Sequence, residues 1–194
     1  MHSTRPYRHG NLPAALQAAA RQILDENGLQ LVGLRETARR VGVSATAAYR
    51  HFASKDDLLA SVAAEGFREL AAAMEDATRG PNLLTRAGLA YIEFAHQNPG
   101  LFRLMFGPLL ADRAKYPALQ AASTRVEDLL LRGVADLDQR ALDQNLAAMA
   151  AWGVVHGLSH LIVDGFFPAA RSVAQAEEIL AKIRLPRPPT SEPP

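Results

Sequence analysis

Apolar side chains recur along this chain at steps of three and four, and nowhere does a strict apolar–polar alternation last a strand length. The pattern predicts a chain built of helices. Leu12, Leu16, Ala19 and Ile23 line one side of a first helix, with Asn11 as N-cap, Pro13 in the first turn and Asn27-Gly28 as the stop. Short helices follow at about 34–41 and 45–51, then a long one over about 55–79 that carries Leu59, Val62, Leu70 and Met74 on one side. Gly80-Pro81 ends it and is the strongest break in the chain. Further helices are expected at about 82–98, 99–106, 117–137, 139–166 and 173–183, with a looser stretch after Gly107-Pro108. Five prolines in 184–194 predict a disordered tail.

With 194 residues, 48% hydrophobic and 21% charged, the composition is that of a globular chain with a real core. The longest apolar run, 146–155, stops at His156, short of the roughly 18–20 residues of a membrane helix, so no membrane partner is expected. The first residues are polar and basic with no apolar segment behind them, so no signal peptide is expected either. The absence of cysteine excludes disulfides, thiolate metal sites, iron–sulfur clusters and a cysteine nucleophile, and it fits a reducing compartment. The expected location is the cytoplasm. The net charge of +1 conceals a split: residues 1–60 hold eight Lys/Arg against five acids, and the remainder thirteen against fifteen. A basic bias in one segment suits a polyanion there, and an ordinary solvated surface accounts for it equally well.

The stretch 34–52, LRETARRVGVSATAAYRHF, carries the most specific signal. Two helices crossing at a tight turn need a small residue at the crossing, a glycine able to turn left-handed, apolar residues flanking the turn and a cap for the second helix. Ala38, Gly42, Val41 with Val43, and Ser44 meet these needs in order. A short second helix opening at Ser44 suits a major groove. A plain helical hairpin in a bundle satisfies the same spacing.

The segment from Tyr7 to Leu70 resembles the N-terminal domain of the TetR family of bacterial transcription regulators. The matching features are Ile23-Leu24 with Asn27-Gly28, Leu34-Arg35-Glu36-x-Ala38, Gly42-Val43-Ser44, Tyr49-Arg50-His51-Phe52, and Ser54 through Leu59. Two departures stand out: Thr37 occupies a position usually held by Ile or Val, and Thr46-Ala47 stands where Gly-Thr is frequent. The resemblance implies an all-α fold, in which an N-terminal three-helix helix-turn-helix domain (1–60) is joined by a long helix to a C-terminal ligand-binding and dimerisation bundle (61–185), with a tail at 186–194. It also implies a non-enzymatic regulator, most simply a repressor, that binds a palindromic double-stranded DNA operator as a homodimer and is released by a small-molecule effector. The last two long helices would form the dimer face. An activator and a protein-binding helical module use the same scaffold.

Expected DNA contacts follow from residue chemistry. Ser44 and the free N–H groups behind it offer a phosphate seat, and Tyr49, His51 and Lys55 match backbone-contacting positions of the family. Arg35 adds backbone charge, as would Arg39. Ala45, Thr46, Ala47 and Arg50 are the candidates for base readout, by methyl contacts and shape more than by bidentate pairs. In the second half, Trp152-x3-His156-Gly157 resembles a signature of one subset of TetR-type ligand domains. Phe94, Phe102, Met105, Phe106, Trp152, His156 and His160 are candidate pocket residues, and His96 and Arg103 lie near them in sequence. His156, His160 and Asp164 share a face at steps of four, yet no third ligand of certain placement accompanies the histidines, so neither metal nor cofactor is expected. No Gly-x-Ser-x-Gly elbow, phosphate-cradling glycine loop or H-E-x-x-H motif supports an enzyme.

Overall fold

The computed structural model describes residues 11–77, 82–135, 144–166 and 172–182. Among the described residues every regular element is helical: α1 (Leu12–Asn27), α2 (Leu34–Val41), α3 (Ala45–Tyr49), α4 (Lys55–Ala77), α5 (Leu83–Gln97), α6 (Pro99–Phe106), α7 (Pro117–Ala135), α8 (Gln144–Val163) and α9 (Ser172–Lys182). Tyr7, the Gly80-Pro81 break, 139–143, Ile183 and the proline-rich tail lie outside the described residues. Packing groups the rest into two units, one up to Phe67 together with Asn98–Ser123, the other comprising Arg68–Gln97 and the described residues from Thr124 on.

The first unit begins where local chemistry demands. The Asn11 side chain accepts from the Ala14 N–H at 3.3 Å, Pro13 sits in the opening turn, and Gly28 closes α1 with φ of 79°. Leu16, Ala20, Ile23 and Leu24 turn inward, as their spacing requires. A 3-10 turn at Leu29–Leu31 leads into α2. There the left-handed Gly42 (φ 77°, ψ 30°) ends the helix, donating to Arg39 O at 3.2 Å while Val43 N–H reaches Ala38 O at 3.0 Å. These two bonds form a Schellman closure. Ser44 then caps α3, its Oγ accepting from Ala47 N–H at 3.2 Å. Ser54 caps α4 in the same way, at 3.1 Å from Asp57 N–H, with Asp56 and Asp57 in the favourable first turn. Thr37 is fully buried, and its hydroxyl donates to Gly33 O at 2.8 Å, so the family departure leaves no unsatisfied group. Helix α6 packs on α1 in this unit, where Arg21 Nη2 donates to Asn98 Oδ1 at 2.6 Å.

In the second unit α5 lies against α8 and α9. Arg125 on α7 grips Glu75 on α4 through three hydrogen bonds of 2.7 to 3.0 Å. Helix α8 ends at Val163, short of the expected end at Phe166. Gly165 (φ 78°) donates to Ile162 O and Phe166 N–H to Leu161 O, a second Schellman closure, with Asp164 at the helix end and its N–H still bonded to His160 O at 2.8 Å. Helix α8 is also long and apolar enough to cross a membrane by length and composition, although only a third of that stretch is buried (33%); a core helix passes the same test. A count of uninterrupted apolar residues misses it because His156, Ser159 and His160 divide the run.

Replacing Gly42 by alanine places a Cβ in the left-handed region, and a loss of about 1–2 kcal/mol in unfolding free energy by denaturant titration is expected.

Candidate nucleic-acid interface

Five residues form α3, and the fold asks little of them. Ala48 is fully buried and holds the helix to the unit; Ala45 and Ala47 are half-buried, while Thr46, Tyr49 and Arg50 face solvent, as does His51 just beyond. Tyr49 is 49% exposed, unusual for a large aromatic with no packing partner to explain it. Arg35 on α2 is exposed as well. The polar ends of Arg35, Thr46, Tyr49, Arg50 and His51 make no recorded side-chain bond among the described residues, whereas Ser44 Oγ is engaged by its own helix. Lys55 is half-buried, and its Nζ donates to Leu29 O at 3.3 Å, tying the start of α4 to the turn before α2.

The basic residues of α2 divide into two kinds. Arg39 makes a bidentate pair with Glu36, Nε to Oε2 at 2.8 Å and Nη2 to Oε1 at 2.7 Å. Arg40 reaches Glu26 at 2.7 Å and Asn27 at 3.0 Å, fastening α2 to the end of α1, and touches Glu36 at 3.4 Å. The Arg39 hydrogen bonds, opposed by partial desolvation and aided by Arg40, hold the Glu36 carboxyl well below its ordinary range, at about 2. Glu36 in turn raises the Arg39 guanidinium, and Glu26 foremost raises that of Arg40. Arg39 and Arg40 are thus both paired with acids, and Arg35 is exposed on the same helix.

The candidate pocket residues fall in both units. Phe102 and Met105 are fully buried in the first, with Phe106 half-buried and its ring centroid 4.9 Å from that of Phe102. In the second, Phe94 is buried core, and Trp152, His156 and His160 form a ladder on α8 with centroid spacings of 5.0 and 4.6 Å. Spacing alone did not reveal that the buried Tyr91 of α5 hydrogen-bonds His156, Oη to Nδ1 at 2.9 Å. His96 and Arg103 are exposed. Among the described residues no three side chains gather in a way that could hold a metal ion.

Two family profiles match this chain: "Bacterial regulatory proteins, tetR family" over residues 16–62 and "Tetracyclin repressor-like, C-terminal domain" over residues 84–183. The nucleoid occlusion factor SlmA of Sodalis glossinidius (strain morsitans) is 34% identical over 99 residues, 49% of this chain and 50% of that protein. The chain thus spans about half the length of the curated relatives it matches. Among solved structures, a protein of unknown function from Rhodococcus sp. RHA1 aligns with a TM-score of 0.74 and 29% identity over 91% of this chain and 97% of that one. The TetR family transcriptional regulator PfmR from Thermus thermophilus aligns with a TM-score of 0.59 and 24% identity over 88% and 99%.

Glu36 makes a contribution whose sign with pH is fixed. Its carboxyl is depressed from 4.5 to about 2, so the stabilisation it gives is present above its ordinary range and lost as pH falls through that interval. Glu36→Gln is expected to melt below the parent at neutral pH, and the gap should close as the pH approaches 2.

Proposed function

Since the chain belongs to the TetR family, we propose that it is a ligand-responsive, DNA-binding transcriptional regulator. In this reading it is a cytoplasmic repressor that holds a palindromic operator as a homodimer and releases it when a small molecule binds. The observation that carries the reading is the pair α2–α3, closed at Gly42, with Ala48 alone of α3 fully buried and the polar ends of Thr46, Tyr49, Arg50 and His51 outward. Residues 1–60 act as the DNA-binding domain, 61–185 as the ligand-binding and dimerisation domain, and 186–194 as a tail.

Within this reading Arg35, Tyr49, His51 and Lys55 contact phosphates, together with the backbone at Ser44, and set the register on the duplex. Thr46, flanked by Ala45 and Ala47, meets base edges through a hydroxyl and methyl groups, with Arg50 beside it. Lys55 reaches phosphate by exchanging its bond to Leu29 O. One such short helix reads few base pairs, which favours two copies on a two-fold site. Helix α8 supports the second copy. Its inner side buries Ala147, Ala151, Val155 and Ile162, while Leu146 and Met149 are 64% and 65% exposed and the space beside Gly153 and Gly157 is open. An apolar face of that kind is costly to leave in water.

The test is retention of genomic DNA fragments by the purified protein at moderate salt, followed by sequencing. A recovered palindrome is expected; retention without preference, or of nothing, sinks the reading. Tyr49→Phe and Lys55→Ala should weaken binding to every sequence alike, Lys55→Ala also lowering the salt slope by about 1, while Thr46→Ala should alter preference at one or two positions. For the dimer, the double variant Leu146→Glu, Met149→Glu should sediment as a monomer, and an unchanged mass would refute the α8 face.

A further inference from the structure

In the regulator reading, phosphate is met by Arg35, Tyr49, His51 and Lys55. Arginine, lysine and tyrosine side chains keep one charge state through the neutral range, whereas imidazole exchanges its proton between about pH 5 and 8. His51 is therefore the one member of that set whose charge follows the pH of its surroundings. It is also the only histidine among the described residues of the first unit, since His96, His156 and His160 lie in the second. Its position is fixed from inside. The N–H groups of His51 and Phe52 both reach the carbonyl of the fully buried Ala48 at 3.0 Å, which holds the main chain just past α3 and leaves the imidazole exposed. The ionisable side chains around it come from α2 (Arg35 and the paired Glu36, Arg39 and Arg40), the end of α3 (Tyr49, with Arg50 next) and the start of α4 (Lys55, Asp56 and Asp57). Glu36 is held by both arginines, Asp57 accepts from the Ser54 hydroxyl and Lys55 rests on Leu29 O. Among the described residues no acid is bonded to the His51 ring.

We propose that His51 links the hold on DNA to the proton: its protonated ring donates to a phosphate oxygen, so binding draws up to one proton per copy from water. The proposal deepens the regulator reading and rests on it. The sign follows from reciprocity. A phosphate beside the ring favours its charged form, and by linkage the proton then raises affinity for DNA by the same factor that DNA raises affinity for the proton. Affinity therefore rises as pH falls from about 8 to about 6. The neutral ring still offers one N–H, so binding persists at the higher pH through a weaker, uncharged hydrogen bond. The added cation also neutralises a further phosphate, which steepens the dependence of log K on log salt by about 0.9 per copy. Since the contact is to the backbone, the effect is the same for every sequence.

Fluorescence anisotropy of a labelled random-sequence duplex with the full chain, at constant ionic strength, tests this without knowledge of the operator. The parent should bind at least about fivefold tighter at about pH 6 than at about pH 8, the difference between a charge-assisted and a neutral hydrogen bond. His51→Gln, which keeps a neutral donor, should bind alike at both and show the parent's shallower salt slope throughout. His51→Arg, with a fixed charge, should show the steeper slope at both. A measurement on the parent needs no variant: binding heats in two buffers of different ionisation enthalpy should reveal net proton uptake. If the parent's affinity is flat over this range, if its pH dependence survives in His51→Gln, or if binding takes up no proton, the proposal is wrong. Survival in His51→Gln would place the titrating group elsewhere, with the histidines of the second unit next to be replaced. DNA binding without pH dependence leaves the regulator reading intact, whereas a parent that holds no DNA at either pH overturns both.

Discussion

The turn at Gly42 is the constraint on which the rest of the first unit depends. Its φ of 77° is reached without penalty only by a residue lacking a side chain, and the two closing bonds it permits decide where α2 stops and how the chain re-enters as α3. With the turn fixed, Ala38 lies fully buried at the crossing, Ser44 falls at the mouth of the next helix and Ala48 fills the position beneath it. Arg40 supplies the complementary fastening, holding α2 to Glu26 and Asn27 at the end of α1. The outward display of α3 is what these inward demands leave over, since every side chain not needed for packing is left facing water.

Much of this was legible because its causes are local. Caps, glycine stops and a four-residue apolar period lie within a turn or two of one another, so the helix boundaries of α1, α2 and α6 can be read from neighbouring letters. Thr37 belongs to the same class: its hydroxyl bonds the carbonyl four residues back, a local solution for a hydroxyl on an inner face. The end of α8 is local as well, set by the left-handed Gly165. Other features have no local cause. Tyr91 and His156 meet across 65 residues, and Arg113 finds Phe67 only once α4 and the loop after α6 share a unit. No spacing encodes such pairs.

Helix α8 marks a different limit. Apolar residues surround it, so composition cannot separate the side that packs on α5 from the side bearing Leu146 and Met149. Folded geometry separates them at once: Ala147, Ala151, Val155 and Ile162 face inward, while Leu146 and Met149 stand out. The Trp152–His156–His160 ladder runs along the border between the two sides, anchored by the buried Tyr91 hydroxyl. An aromatic series at helical spacing is thus neither core nor open surface.

The single demand that the fold makes on α3 has a consequence for how such a chain changes over generations. Only Ala48 of its five residues is fully buried, and the cap is supplied from outside the helix by Ser44. Substitutions at Thr46 or Tyr49 therefore leave the unit's packing almost untouched. A lineage carrying this scaffold can drift through many outward-facing combinations while remaining folded, and selection on those positions acts on what they touch. The same separation makes α3 a natural cassette for redesign: its outer letters can be randomised as a library without eroding the stability of the domain.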